Sequence, residues 1–114
     1  MLKTIILSLT LFLALPALAQ DQQTLNQQAA QRFADADKEL NRVYRELKSH
    51  LSKPEQEQLV EAQRHWIKFR DANAKAKAVT NEGGSIYPMI YAGTQRRITE
   101  SRIGELKEWL EEYK

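Results

Sequence analysis

His50 and His65 are the only two histidines in the 114-residue chain, and it contains no cysteine. A zinc centre needs about three or four ligands at close spacing. The two imidazoles fall on different predicted helices without companion ligands, so surface or rim positions are expected and no metal site is. The absence of cysteine removes disulfides, thiol catalysis and thiolate ligation together. Glu100 and Glu105 could be cast as general acid and general base. Nothing nearby supplies the apolar pocket that would drive their pKa values apart. Two histidines and scattered serines form no legible Ser-His-Asp arrangement. Gly83-Gly84-Ser85 lacks the Lys-Ser/Thr continuation of a P-loop and does not follow a strand. Catalytic residues, metal and cofactor are therefore all expected to be none, and the chain reads as a non-enzyme.

Two clusters remain. Trp66 and Arg70 are four residues apart, so they share a helix face and can make a cation–π contact. An aromatic at helical spacing is most often core, and Trp66 is assigned there. Arg70 and Asp71 are expected to join a semi-buried ion-pair network with Asp37 or Arg102, which would fix helix register. The second cluster is the turn at Gly83, Gly84 and Ser85, followed by Ile86 and Tyr87. It could present an apolar tip, and these five residues are the expected partner-binding site. The competing reading is that Ile86 and Tyr87 close the end of the fold.

Helices must position these clusters. Leu25, Ala29, Phe33, Ala36, Leu40, Val43, Leu47 and Leu51 recur every three or four residues, which is one helical stripe. The Gln-rich stretch from Gln20 to about Gln28 begins it as a frayed tail. Ser52-Lys53-Pro54-Glu55 marks a boundary, with Ser52 and Glu55 spaced as a capping box and Pro54 tolerated in a first turn. A second stripe holds Leu59, Ala62, Trp66, Phe69, Ala76 and Val79. The paired glycines end that helix. Pro88 opens a third helix, reaching about Glu112, with Ile90, Thr94, Ile98, Arg102, Leu106, Trp109 or Leu110, and Tyr113 on its stripe. Gly93 and Gly104 weaken it, and a kink or a close helix contact at Gly93 would account for that glycine. The expected fold is all-α: a small antiparallel bundle of three long helices, the third open to a kink or break, with no sheet. Stripes wider than one short bundle can cover would favour a dimer; the oligomeric state is otherwise open.

The first residues carry a compartment signal. Lys3 precedes a run from Ile5 to Leu15 that is apolar apart from Ser8 and Thr10. Pro16 and Ala17-Leu18-Ala19 complete the order of a cleavable signal peptide. The run falls short of the about 20 residues that a membrane span needs. The reading is a signal peptide over 1–19, a single helical domain over 20–114, and a periplasmic or secreted protein with no membrane span after cleavage. Lys3 is the only charged residue in 1–19, so 16 of the 17 basic residues and all 15 acidic ones remain after cleavage. Nearly balanced charge and export both argue against nucleic acid as a partner.

Four segments together resemble a known family. They are Ala36-Asp37-Lys38-Glu39-Leu40-Asn41-Arg42-Val43-Tyr44, Ala62-Gln63-Arg64-His65-Trp66-Ile67-Lys68-Phe69-Arg70-Asp71-Ala72, Gly83-Gly84-Ser85-Ile86-Tyr87-Pro88-Met89 and Ile98-Thr99-Glu100-Ser101-Arg102. In this order they resemble the lysozyme inhibitor LprI-like N-terminal domain family of exported bacterial proteins, over nearly all of 20–114. Many members carry cysteines near the positions of Gln28, Ala74 and Thr94, where this chain has none. The resemblance implies binding to lysozyme, with another envelope protein as the alternative partner and an accessory envelope role as the alternative function. Cleavage after Ala19 predicts that the exported protein begins at Gln20, which intact-mass measurement of the extracytoplasmic fraction checks.

Overall fold

A computed structural model describes the backbone of residues 2–114 and the side chains from residue 21 onward. The expected signal segment, 1–19, therefore lies outside the residues described in full. Three α-helices follow one another: α1 (Leu2–His50), α2 (Lys53–Ala78) and α3 (Tyr87–Glu111). A single 3₁₀ turn, Val79–Asn81, closes α2, and there is no strand among the described residues. No helix among them is long and apolar enough to cross a membrane. Successive helices reverse direction, so α1 and α3 run the same way. His50 and Tyr113, at their two C-terminal ends, stack at 5.7 Å. The helix α3 packs closely along both others, while α1 and α2 meet chiefly through longer side chains.

The corner between α1 and α2 is built from caps. Ser52 accepts from the Glu55 amide at 3.4 Å, and the Glu55 carboxylate accepts from the Ser52 amide at 3.0 Å. Those Ser52 hydrogen bonds hold the Glu55 carboxyl below the usual carboxylate range. The Gln56 side chain donates to the carbonyls of Lys48 and Leu51 at 3.0 and 3.1 Å. It thereby satisfies the Leu51 carbonyl and adds a second donor to the Lys48 carbonyl, which already accepts from the Leu51 amide.

Just beyond this corner lies the aliphatic core: Leu40, Val43, Leu47 and Leu51 of α1 and its end, Leu59 of α2, and Ile103, Leu106 and Leu110 of α3. Tyr44, Trp66 and Trp109 pack against it while partly buried. The α1 stripe is buried from Ala29 onward apart from half-buried Phe33, but Leu25 is exposed. The other half of the bundle is built differently. Its buried positions are Ala29, Ala36, Ala74, Ala78 and Ala92 together with polar Gln63, Arg70, Thr94, Gln95 and Thr99.

That composition rotates two helices away from their expected faces. The buried residues of α2 are Leu59, Gln63, Arg70, Ala74 and Ala78. Phe69 is 57% exposed, and Ala62 and Ala76 are exposed as well. On α3 the expected Thr94, Leu106 and Leu110 are buried, but between them the buried line runs through Gln95, Thr99 and Ile103, leaving Ile98 and Arg102 half-buried beside it. The start of α1 also departs from expectation. Gln22 and Asn26 are helical, and Asn26 donates to the Ser85 carbonyl at 2.8 Å, so this stretch is docked rather than frayed.

No break interrupts α3. It runs without interruption through Gly93 and Gly104, and a Cβ added at either would meet nothing within 4 Å. No close helix contact requires the Gly93 hydrogen. Both glycines therefore cost helix propensity without compensation. Gly93→Ala and Gly104→Ala should each stabilise the fold by about 1 kcal/mol, read as a rise in urea midpoint at unchanged slope.

Candidate functional site

Arg70 sits at the centre of the polar half of the bundle. Its side chain is 9% exposed. The guanidinium carbon lies 5.0 Å from the ring centroid of Phe33 on α1 and 5.2 Å from that of Trp66 on its own helix. Its Nε donates to Asp71 at 2.8 Å, and a terminal nitrogen reaches Asp37 on α1 at 3.4 Å. Gln95 of α3 donates to the same Asp71 oxygen at 3.0 Å. Burial pushes the Asp71 carboxyl up, but the hydrogen bonds from Arg70 and Gln95 outweigh it and hold the group below its usual range. Arginine suits this place because its planar, weakly hydrated group stacks on rings and keeps several donors in fixed directions.

Of the residues expected in the network, Asp37, Trp66, Arg70 and Asp71 come together and Arg102 does not join them. Arg102 lies nearer the aliphatic core, where its Nε donates to Gln63 at 3.2 Å and another nitrogen meets Glu105 at 3.0 Å. Arg102 still ties α3 to α2, through an uncharged partner. Phe33 and Gln95 were not singled out in the sequence. Phe33 was visible only as one member of the α1 stripe, and Gln95 carries no local signal.

The turn after α2 is the second element of the site. Gly83 adopts φ +80°, which favours glycine. At Gly84 a Cβ would stand 3.1 Å from the Asn81 carbonyl oxygen, because the Gly84 amide already donates to that oxygen at 2.9 Å. Gly83, Gly84 and Ser85 are exposed, whereas Ile86 and Tyr87 are half-buried. Tyr87 stacks on Tyr91 at 5.9 Å with the rings 14° apart. Burial, with the Asp71 and Tyr87 charges behind it, pushes the Tyr91 hydroxyl up. With Asn26 holding the Ser85 carbonyl, the turn is fastened from two sides.

A groove of about 400 Å³ opens between α1 and α2 beside the cluster. Asp37, Asn41, Tyr44, Gln63, Ile67 and Arg70 are among its lining residues. It presents amide, phenol and carboxylate groups without a nucleophile–base pair. No cluster of three or more histidine, cysteine, aspartate or glutamate side chains able to hold a metal exists among the described residues. His50 stacks on Tyr113, and exposed His65 lies 3.3 Å from Glu61.

The chain belongs to the lysozyme inhibitor LprI family, whose profile matches residues 16–106. That span takes in the Arg70 cluster, the Gly83–Gly84 turn and most of α3. An uncharacterised protein of Rhizobium meliloti (strain 1021) is 33% identical over 106 residues, covering 82% of this chain and 76% of the relative. No solved structure matches.

Removing the guanidinium should loosen the contact between α1 and α2. Arg70→Met keeps much of the aliphatic bulk but loses the ion pairs and both ring contacts. It should lower stability by about 2 kcal/mol, measured by urea unfolding. Arg70→Lys should recover only a minor part, because an ammonium cannot span both rings and both carboxylates.

Proposed function

We propose that the protein is an exported envelope protein that binds a lysozyme and inhibits it, with the Gly83–Tyr87 turn as the inhibitory element. The observation that carries this reading is the family match, which extends through the turn and the cluster that supports it. Export is part of the proposal and rests on the charged, apolar and small-residue order of 1–19. The reading is of a binding protein and not of an enzyme. Family membership supports that choice, and the known chemistry of acid–base or metal catalysis finds no matching group among the residues of the site.

The physical case for the turn is preorganisation. An inhibitor that enters an enzyme cleft loses affinity to every degree of freedom it must freeze. Here the Ser85 carbonyl is held by Asn26, and Tyr87 leans on Tyr91. The exposed Ser85 hydroxyl is free to donate to a carboxylate, the group that glycoside-cleaving clefts present. The half-buried Tyr87 serves as a prop for the turn and lends the tip its apolar edge. Trapping by a rigid element of this kind needs little backbone change on binding.

The test uses protein purified from cells expressing the full chain, assayed against lysozymes of several structural types. Inhibition is expected at micromolar concentration. Ser85→Arg, which changes an exposed position, should weaken it roughly tenfold or more without altering the circular dichroism spectrum. No inhibition of any lysozyme at large molar excess would contradict the reading and favour an accessory envelope role with another partner. Full inhibition by Ser85→Arg would move the inhibitory surface away from the turn.

A further inference from the structure

The groove between α1 and α2 has buried polar groups in its wall. Gln63 and Arg70 both line it, and Gln63 is only 8% exposed. Each spends part of its hydrogen-bonding capacity inside the protein. Gln63 accepts from Arg102 through its carbonyl oxygen, while Arg70 uses Nε and one terminal nitrogen on Asp71 and Asp37. The Gln63 amide nitrogen, the second terminal nitrogen of Arg70, and the Asn41 and Tyr44 side chains have no hydrogen-bond partner among the described residues. Thr99 Oγ1 is the one unpartnered side-chain atom sealed from solvent among them. The two nitrogens are therefore accessible, and the groove is the opening that both residues line. A ligand acceptor placed there meets donors that are already held in position.

Spacing and charge decide what fits. Gln63 and Arg70 stand two helical turns apart on α2, about 10 Å. Asp37, Asn41 and Tyr44 follow by steps of four and three on α1, so they form a facing row. Leu40, Val60 and exposed Ile67 add apolar surface to the same walls. The charges in the groove are already answered. Arg70 pairs with Asp37 and Asp71, and Arg64 stands 3.8 Å from Glu61. An anion would therefore find no uncompensated cation, and Asp37 would repel it. An extended peptide is also a poor match, because it seeks main-chain partners and two helices spend theirs internally. The remaining fit is a neutral, elongated molecule with polar groups along both edges and apolar carbon between them. Sugar rings have this character, since each hydroxyl both donates and accepts.

We propose that the groove binds a disaccharide stretch of a neutral glycan lying along α2, with Gln63 and Arg70 donating to its oxygens and Asp37, Asn41 and Tyr44 holding the opposite edge. The groove volume of about 400 Å³ falls in the range of about 300–1,000 Å³ that small-molecule sites occupy. The proposal does not rest on what the Gly83–Tyr87 turn binds.

The test is a titration of ¹⁵N-labelled protein, purified from cells expressing the full chain, with the neutral disaccharides cellobiose, maltose and N,N′-diacetylchitobiose. The side-chain amide resonances of Asn41 and Gln63 are the readout. At least one disaccharide should shift both signals saturably, with a dissociation constant on the order of 1 mM. Asn41→Ala and Tyr44→Phe should each weaken that binding about fivefold, the loss of one hydrogen-bonding group. Asn41 is exposed and Tyr44→Phe keeps the ring, so unchanged helical circular dichroism is expected of both. No saturable shift from any of the three up to about 50 mM overturns the proposal. So does binding that leaves the Asn41 and Gln63 signals in place, or that neither substitution weakens. A neutral, end-capped tripeptide that moves the same signals at lower concentration than every disaccharide overturns it in favour of a peptide.

Discussion

The fold is organised by one buried cation. A guanidinium inside a small helical bundle is unfavourable unless its charge and donors are answered on the spot. Here the answers come from all three helices. Phe33 and Asp37 are on α1, Trp66 and Asp71 on α2, and Gln95 on α3 completes the set by binding Asp71. Four groups converge on one side chain and a fifth, Gln95, holds one of the four, so the helices have little freedom to slide or turn. Aliphatic packing alone would be far less exacting, since leucines tolerate shifts in register that a fixed fork of donors does not.

This also explains how a cysteine-free chain divides its work. The aliphatic half, from Leu40 to Leu51 and across to Leu59 and Leu106, supplies most of the non-directional burial. The half nearer the Gly83–Gly84 turn has alanines that bring the backbones close and a polar cluster that fills what they leave. Ala74 and Thr94 are both buried in that half. Asn26 extends the same arrangement to the turn. The candidate binding element is thereby held by the very part of the fold whose packing is most specific.

Much of this was legible in the sequence, and the failures have one cause. The α1 stripe, the Ser52–Glu55 capping box and the Gly83 reversal rest on local chemistry, and the structure shows each of them. The face of α2 and the middle of the α3 face were displaced because apolar periodicity takes the most hydrophobic line as the inside. Arg70 and Gln63 own the inside of α2, so the line through Phe69 faces out. Gln95 and Thr99 do the same on α3, and Arg102 was drawn toward Gln63 instead of Asp71. Long-range polar pairing leaves no periodic trace in one chain. The docking of Gln22 and Asn26 was hidden for the same reason, since a Gln-rich helix start looks solvated until its partner, the Ser85 carbonyl, is known.

Membership of the lysozyme inhibitor LprI family gives this architecture a setting, and the central physical claim can be examined apart from any partner. That claim is the enclosure of Arg70 between two rings. The Nε–H resonance of Arg70, observed by ¹H–¹⁵N correlation on labelled protein at neutral pH, reports it directly. The account predicts a separate, slowly exchanging signal shifted upfield by the ring currents of Phe33 and Trp66. A rapidly exchanging signal that coincides with those of exposed arginines such as Arg64 would contradict it.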